Sequence, residues 1–142
     1  MGGQKYGVAW SDDLKLGNAR VDEQHRRLFE LLSELVASCM DGTDTEMLRD
    51  TLNFLVEYTL RHFEDEESLQ IEYSYPDYFR HKQLHEIFKC AVSGLVERFV
   101  KNGSSAELSR DVNKIVIRWL LGHIRKEDMR IGEHIRNMTG RG

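Results

Sequence analysis

Proline and cysteine are scarce in this sequence. Pro76 is the only proline among 142 residues, so few positions force a helix to end. The two cysteines, Cys39 and Cys90, both fall within helical hydrophobic patterns. We interpret them as small buried core side chains rather than as a disulfide or a catalytic pair. These two shortages favour long helices and argue against a disulfide scaffold.

Long apolar runs and clusters of positive charge are also missing. The longest apolar stretch, residues 115–122, contains Arg118 and is too short to span a bilayer, and no N-terminal stretch resembles a signal peptide. The net charge is −4, and basic residues alternate with acidic ones, which argues against a nucleic-acid-binding surface. We therefore predict one cytoplasmic domain over residues 1–142, with no membrane insertion and no nucleic-acid partner.

Turn signals divide the sequence into four segments with helical periodicity. They are DGTD at 41–44, YSYPD at 73–77 and NGSS at 102–105. Between them, apolar residues recur every three or four positions, as in helices that pack in a bundle. The predicted helices begin near residues 22, 45, 76 and 104 and end near 40, 72, 102 and 128. The predicted capping residues are Asp22 and Ser104 at N-termini and Gly103 after the third helix.

Short connections between long helices predict an all-α, up-down-up-down antiparallel four-helix bundle. The bundle is predicted over residues 21–134, with a tail over 135–142. Residues 1–20 contain Val8, Trp10, Leu14 and Leu16 but show no helical period. We interpret them as an arm that packs across the bundle.

Several polar residues occupy positions where the helical pattern calls for apolar core residues. HFEDEE at 62–67 provides two of them, one helical turn apart. Because successive helices run in opposite directions, all of these positions lie within a few turns of the same end of the bundle. They are His25 in the first predicted helix, His62 and Glu66 in the second, His81 and His85 in the third, and His123 and Asp128 in the fourth.

This polar set indicates a metal centre. Burying imidazoles and carboxylates without compensation costs several kcal/mol for each unpaired group. Imidazole ligands with a minority of carboxylates suit iron, zinc or copper, whereas magnesium and calcium require mostly oxygen ligands. Seven protein ligands exceed what one ion takes, so we predict two ions, bridged by carboxylates and by an oxide or hydroxide.

One spacing does not fit an ideal helix. Asp128 follows His123 by five residues, which is about 140° around an α-helix, so spacing alone does not choose Asp128 over Glu127. Either a bridging position between two ions or a local change in the helix would reconcile this spacing. Gly122 is interpreted as making room beside the site. The other polar residues near these motifs are interpreted as solvent-exposed: Glu64, Asp65, Glu67 and His134.

These motifs resemble the hemerythrin family, and among its members the bacterial hemerythrin-like proteins. DEQH at 22–25, HFEDEE at 62–67, HKQLH at 81–85 and HIRKED at 123–128 match its pattern in order, and the match extends over residues 10–132. The resemblance implies a non-haem di-iron centre that binds dioxygen. It implies His81, His85 and His123 on one iron, His25 and His62 on the dioxygen-binding iron, and Glu66 and Asp128 as bridges.

The leading hypothesis is reversible binding of dioxygen without catalysis. Neutral imidazoles dominate the predicted ligands, whereas ferritin-like di-iron enzymes use more carboxylates and Glu-x-x-His pairs. Many family members carry a tyrosine three residues after the bridging aspartate, and this chain has Ile131 there, which predicts a less polar pocket. Apolar residues predicted to exclude water from the site are Leu28, Leu32, Phe63, Phe88 and Trp119.

Other functions stay open from the sequence. Bound dioxygen could serve storage or delivery to an oxidase, and the lack of a second domain favours that role. It could instead serve oxygen or redox sensing in a domain excised from a signalling protein. A di-iron enzyme acting on peroxide or nitric oxide is a further alternative, and a purely structural metal site would not respond to dioxygen.

Overall fold

The computed structural model describes residues 9–41, 45–103 and 105–140. Over these ranges the chain forms long helices and one 3₁₀ turn, Asp12–Leu14, and no β-strand. The first three helices are α1 (Ala19–Asp41), α2 (Thr45–Glu72) and α3 (Tyr78–Asn102). The fourth, α4, covers residues 106–139 as an unbroken series of helical segments. The prediction of an all-α fold is confirmed.

Contacts between side chains show that neighbouring helices run antiparallel. Gln24 on α1 donates to Asp65 near the end of α2, whereas Arg27, further along α1, lies over the ring of Phe54, earlier on α2. Between α2 and α3, contacts run from Glu66 with His81 to Phe63 with Phe88. Between α3 and α4 they run from Arg80 with Glu127 to Arg98 with Asp111. Between α1 and α4 they run from His25 with Asp128 to Phe29 with Arg125, so the order is reversed in each case. The helices therefore form the predicted antiparallel four-helix bundle.

Two apolar clusters fill the bundle. The larger cluster includes Leu28 on α1, Phe63 on α2 and Ile124 on α4. The smaller cluster lies at the end of the bundle near the N-terminal arm, and its buried members are Leu16, Val21, Leu69, Tyr75, Ile131 and Ile135. Along α1, α2 and α4, five of the seven polar residues identified above fall between members of the two clusters, and the other two, His81 and His85, lie on α3 before its first member of the larger cluster. This order places apolar material on both sides of a polar layer.

The start of α1 differs from the prediction. The helix begins at Ala19, and the side-chain oxygen of Asn18 accepts from the N–H of Val21 at 3.0 Å, so Asn18 is the N-cap instead of Asp22. The Asp22 carboxylate accepts from the backbone N–H groups of Leu16 and Gly17, at 2.6 and 3.2 Å. Asp22 therefore attaches the arm to α1, an interaction that helical periodicity could not reveal.

The other capping predictions had mixed outcomes. Gly103 follows α3 with φ of 70° and donates its N–H to the carbonyl of Phe99, as predicted for a residue after a helix. At the start of α4, the Ser105 hydroxyl accepts from the N–H of Leu108 at 3.0 Å, so Ser105 is the N-cap. The predicted cap, Ser104, lies outside the described residues. The third helix begins two residues after the predicted Pro76.

The arm packs on the bundle as predicted. Trp10 meets Phe29 of α1 edge to face at 5.8 Å between ring centroids. Leu16 is fully buried, and a Cβ atom added to Gly132 of α4 would lie 3.0 Å from the Leu16 Cα. Glycine at 132 therefore permits the arm backbone to lie directly against α4. Val8 lies outside the described residues.

The predicted tail is helical as far as Thr139. Ile135 continues the apolar seam of α4 and is buried with Tyr75. His134 is half-buried, and its Nε2 lies 2.8 Å from the backbone carbonyl of Tyr73, to which it donates. The expectation of a solvent-exposed His134 is therefore wrong, because the apolar seam of α4 continues beyond Asp128 to Ile135.

Two further expectations are wrong. Cys90 is exposed on the outer side of α3, because it falls between the inward-facing Phe88 and Val92. The side chain of Cys39 is outside the described part of the structure. Gly122 is also exposed, and an added Cβ would meet no heavy atom within 4 Å, so it does not make room beside the polar layer. Among the described residues, no helix is long and apolar enough to span a membrane.

Candidate metal centre

The seven predicted side chains meet in the polar layer between the two apolar clusters. His25 comes from α1, two residues each come from α2 and α3, and two come from α4. None is more than 5% exposed: His25, His62, Glu66, His81, His85, His123 and Asp128. Such complete burial of ionisable groups requires compensating charge or hydrogen bonds.

Helix geometry explains how α2 and α3 each contribute two side chains. His62 and Glu66, like His81 and His85, are four residues apart and therefore lie on one face of an α-helix. On α4 the segment His123–Asp128 is π-helical, so residues five apart come onto one side. Asp128 Oδ1 consequently lies 3.1 Å from His123 Nε2.

The π-helical segment resolves the choice between Asp128 and Glu127. Glu127 points away from the layer, and its carboxylate accepts two hydrogen bonds from Arg80 of α3, at 2.7 and 3.3 Å. Of the two explanations left open by the spacing, the local change in the helix is present. Asp128 is also placed between two groups of histidines, as a bridge requires.

The seven residues form two groups whose ligand atoms each lie within 4.8 Å of one another. The five-residue group comprises Glu66, His81, His85, His123 and Asp128. The four-residue group comprises His25, His62, Glu66 and Asp128. The two carboxylates therefore belong to both groups.

Each carboxylate presents one oxygen to each group. Glu66 Oε1 lies 2.9 Å from His81 Nε2 and 3.2 Å from His85 Nε2, whereas Oε2 lies 3.2 Å from the Nε2 atoms of both His25 and His62. Asp128 Oδ1 lies 3.0 Å from His81 Nε2, and Oδ2 lies 3.1 Å from His25 Nε2. This division of oxygens is what two carboxylates bridging two ions would show.

The spacing of the nitrogen atoms fits ligands of a single ion. His123 Nε2 lies 3.0 Å from His81 Nε2 and 3.1 Å from His85 Nε2. Adjacent ligands of an octahedral ion, each about 2.1 Å from it, are about 3.0 Å apart. Within the described residues, His62 Nε2 and both Asp128 oxygens make no hydrogen bond of good geometry, although the Asp128 oxygens lie at ion-pair distance from histidine nitrogens. A cation would satisfy these buried atoms.

Without a cation, protons balance the two carboxylates. Burial lowers the pKa of His25, but the carboxylates of Asp128 and Glu66 outweigh burial and raise this pKa to about 9. The same opposition raises the pKa of His81 to about 10. Burial raises the pKa of each carboxyl group, yet the adjacent histidines hold the pKa of Glu66 and Asp128 below its usual range. Metal ions would therefore replace protons.

His62 titrates in the opposite direction. Burial and the neighbouring His25 lower the pKa of His62, so its imidazole is neutral. Neutral imidazole is the form that binds metal ions. In the four-residue group, His62 is already neutral, whereas His25 must lose a proton before it can bind a metal ion.

Aromatic rings cover the histidines of the five-residue group. Phe63 stacks on His85 with 3.7 Å between ring centroids, and Trp119 stacks on His123 at 4.6 Å. Phe88 contacts both of these aromatic residues. The remaining predicted pocket residues, Leu28 and Leu32, are fully buried in the larger apolar cluster, one and two turns beyond His25. This arrangement separates the polar layer from solvent.

Sequence reasoning missed the outward hydrogen bonds of two histidines. His62 Nδ1 lies 2.8 Å from Gln24 Oε1, and His85 Nδ1 lies 2.8 Å from Glu67 Oε2. Glu67 is therefore half-buried, and the expectation that it is solvent-exposed is wrong. The available signal was position, since Gln24 and Glu67 are the immediate neighbours of His25 and Glu66.

The remaining acids of HFEDEE differ from one another. Glu64 is exposed, as predicted. Asp65 is half-buried, because it accepts from Gln24 Nε2 at 2.6 Å and pairs with Arg20 at 3.2 Å. Gln70, one turn after Glu66, is fully buried and was not singled out from the sequence. Ile131 is fully buried in the smaller cluster, which agrees with an apolar end of the site.

The matching family model and the similar sequences indicate the same family. Residues 16–135 match the family model described as the hemerythrin HHE cation binding domain. The chain is 31% identical to a bacteriohemerythrin of Stenotrophomonas maltophilia over 129 residues, which are 91% of this chain and 82% of that protein. It is 32% identical to a bacteriohemerythrin of Pseudomonas aeruginosa over 121 residues, which are 85% of this chain and 76% of the relative.

Two further similarities are to a protein of Naegleria gruberi and to a solved structure. A hemerythrin-like protein of Naegleria gruberi is 30% identical over 121 residues, 85% of this chain and 87% of the relative. A crystal structure of a point mutant superposes with a TM-score of 0.74 over 88% of this chain and 94% of the other, at 23% identity. At that identity, the superposition supports the fold alone.

Proposed function

Because this chain belongs to the hemerythrin family, we propose that it binds dioxygen reversibly at a di-iron centre in the polar layer. The observation that carries the proposal is the unequal composition of the two groups. Both share Glu66 and Asp128, but one adds three histidines and the other only two. The group with fewer protein ligands leaves a coordination position for an external molecule.

The proposed assignment of ligands follows these groups. His81, His85 and His123 would hold one iron, and His25 and His62 the other, with Glu66 and Asp128 bridging both. When bound, the two irons would supply electrons to dioxygen and recover them on its release. The protein's part is to present neutral Nε2 atoms and to keep the irons at a constant separation.

The donor set supports binding rather than oxidative catalysis. Five of the seven side chains are imidazoles and two are carboxylates. Carboxylate-rich sites with Glu-x-x-His pairs are typical of ferritin-like di-iron proteins, and this sequence contains no such pair. Fewer anionic ligands give less stabilisation to highly oxidised iron. We therefore propose a carrier of dioxygen, for storage or for delivery to an oxidase, rather than an enzyme.

The surrounding apolar residues support reversibility. Apolar clusters lie on both sides of the polar layer, and the rings of Phe63 and Trp119 cover two of its histidines. Excluding water from such a site limits proton entry and hydrolytic side reactions. We expect bound dioxygen to leave as dioxygen more often than as a reduced product.

The direct test combines metal analysis with spectroscopy. Iron content is measured, the protein is reduced without air, and dioxygen is admitted and removed while the visible spectrum is recorded. The proposal expects close to two irons per chain and an absorption band that appears and disappears over repeated cycles. Irreversible bleaching, or a single zinc ion per chain, would contradict it. Steady consumption of peroxide or nitric oxide with a reductant would favour the enzyme instead.

A pair of variants in HFEDEE sharpens this test. His62→Ala removes a proposed ligand of the four-residue group and should abolish the dioxygen-dependent band. Glu64→Ala, two residues away and exposed, is the matched control and should leave iron content and the band unchanged. Retention of both by His62→Ala would refute the ligand assignment.

A further inference from the structure

We propose that Gln24 and Glu67 are positioning residues that increase the chemical difference between the two metal positions. The inference rests on the proposed di-metal centre and extends it to residues beyond the ligands. Each residue accepts a hydrogen bond from the Nδ1–H of one histidine, at 2.8 Å in both cases. Gln24 acts on His62 of the four-residue group, and Glu67 acts on His85 of the five-residue group.

The two acceptors differ in charge while their distances are the same. Gln24 offers a neutral amide oxygen, whereas Glu67 offers a carboxylate oxygen. A carboxylate polarises an imidazole N–H more strongly and increases the electron density on the opposite nitrogen. His85 should therefore be a stronger electron donor to its metal than His62. This favours tighter metal binding, and a more oxidised metal, in the five-residue group.

The orientation of the Gln24 amide is set by a second contact. Its Nε2 donates to Asp65 Oδ2 at 2.6 Å, which leaves Oε1 directed to His62. Asp65 is paired with Arg20 at 3.2 Å, and the Arg20 side chain is 75% exposed. The Asp65 carboxylate is therefore separated from His62 by the Gln24 amide and is paired with an arginine. Gln24 is thus a neutral acceptor for His62, whereas its counterpart Glu67 is a charged acceptor for His85.

Two other histidines of the polar layer, one in each group, have no such acceptor in the described part of the chain. The Nδ1 atoms of His25 and His81 have no hydrogen-bond partner among the residues that the structure describes. One histidine in each group thus lacks an outward protein acceptor. Gln24 and Glu67 therefore add a difference in hydrogen bonding to the difference of one histidine between the groups.

The test measures metal affinity at each position. The metal-free full-length chain is titrated with Co²⁺ against a competing chelator, and the two binding steps are followed by the cobalt absorption bands. In Glu67→Gln, the tighter step should weaken by about 10- to 100-fold, as typical for loss of an outer partner, while the weaker step stays unchanged. Glu64→Gln changes the same charge at an exposed position nearby and should shift neither step.

A double variant tests the Gln24 half of the inference. Gln24→Glu combined with Asp65→Asn moves the carboxylate from the outer residue to the acceptor of His62 and keeps the total charge constant. The weaker step should tighten by about 10-fold, so that the two affinities approach each other. On the iron-loaded protein, the gap between the two reduction potentials should narrow. If Gln24 had only a packing role, the double variant would neither tighten the weaker binding step nor narrow the gap between the reduction potentials.

The outcomes separate this inference from the proposed function. Two Co²⁺ ions with affinities that shift equally, or not at all, in these variants would overturn the inference and leave the di-metal centre standing. Binding of fewer than two ions would contradict both. Because the titration uses no dioxygen, a failure of reversible oxygenation would not affect its result.

Discussion

Metal binding to this protein should expel protons, and their number can be worked out from the structure. The perturbation is the addition of Zn²⁺ to the metal-free chain at different pH values. His25 and His81, with pKa values of about 9 and about 10, carry a proton near neutral pH when no metal is present. Metal ligands must be deprotonated, so both protons leave on binding. The raised pKa of His85 adds a further fraction, whereas that of His62 is lowered and adds none.

The magnitude follows from the distance between pH and pKa. At neutral pH, groups with pKa values of about 9 and about 10 are almost fully protonated. Release of two protons makes the overall affinity rise about 100-fold for each unit of pH between about 6.5 and about 8.5. The rise of metal affinity with pH should become less steep above about pH 9, where His25 is mostly neutral before metal binds.

The stability of the metal-free fold should change with pH in the opposite direction to the metal affinity. Raised histidine pKa values stabilise the folded chain below the unfolded value of 6.5, and this stabilisation is lost as pH rises through about 9. Acid should therefore release the metal without removing this contribution to the fold. Thermal unfolding with and without a chelator, measured across this pH range, would show the two opposing trends.

The assay for proton release is calorimetry in two buffers of different ionisation enthalpy. At neutral pH, the difference in observed heat should correspond to about two protons per chain from the histidines, before any contribution from His85. Glu64→Gln provides a control that should release the same number. Release of fewer than one proton, or an affinity independent of pH, would refute the assignment of charge to the polar layer.

Two further predictions concern the fold around the site. Gly132→Ala should destabilise the protein by about 1 to 3 kcal/mol in chemical denaturation, because its Cβ would lie 3.0 Å from the arm backbone. Gly122→Ala, exposed on the same helix, is the matched control and should stabilise by about 1 kcal/mol; equal effects would contradict the proposed close approach. Arg80 lowers the pKa of Glu127, so their pairing stabilises the fold above the unfolded carboxyl pKa, and this stabilisation is lost as pH falls through the lower folded pKa. Glu127→Gln should flatten the acid side of the stability profile, and an unchanged profile would argue against this pair.

Much of the fold could be predicted because helix formation and seam residues depend on local spacing. Residues three and four apart share a face of an α-helix whatever the rest of the chain does. Hence HFEDEE and HKQLH each placed two polar side chains on one seam. Short connections then brought the four helices together with these positions at one depth. The structure collects the seven side chains that the pattern selected, and their role as iron ligands stays a proposal.

Other features depended on the relative rotation and contacts of the helices. Glu127 and Asp128 could not be separated by spacing, because the choice required the π-helical segment and the contact of Glu127 with Arg80. The partners of Gln24 and Glu67 lie 38 and 18 residues away, so no local pattern identifies them.

The sequence by itself determined the four helices, their order and the residues that face inward, since these follow from interactions between residues a turn apart. Tertiary structure alone decided the partner of His134 and the histidines that Gln24 and Glu67 contact. It also decided which oxygen of each carboxylate faces which histidines. The physical reason is that such contacts join residues distant in the chain, and their geometry depends on how whole helices pack.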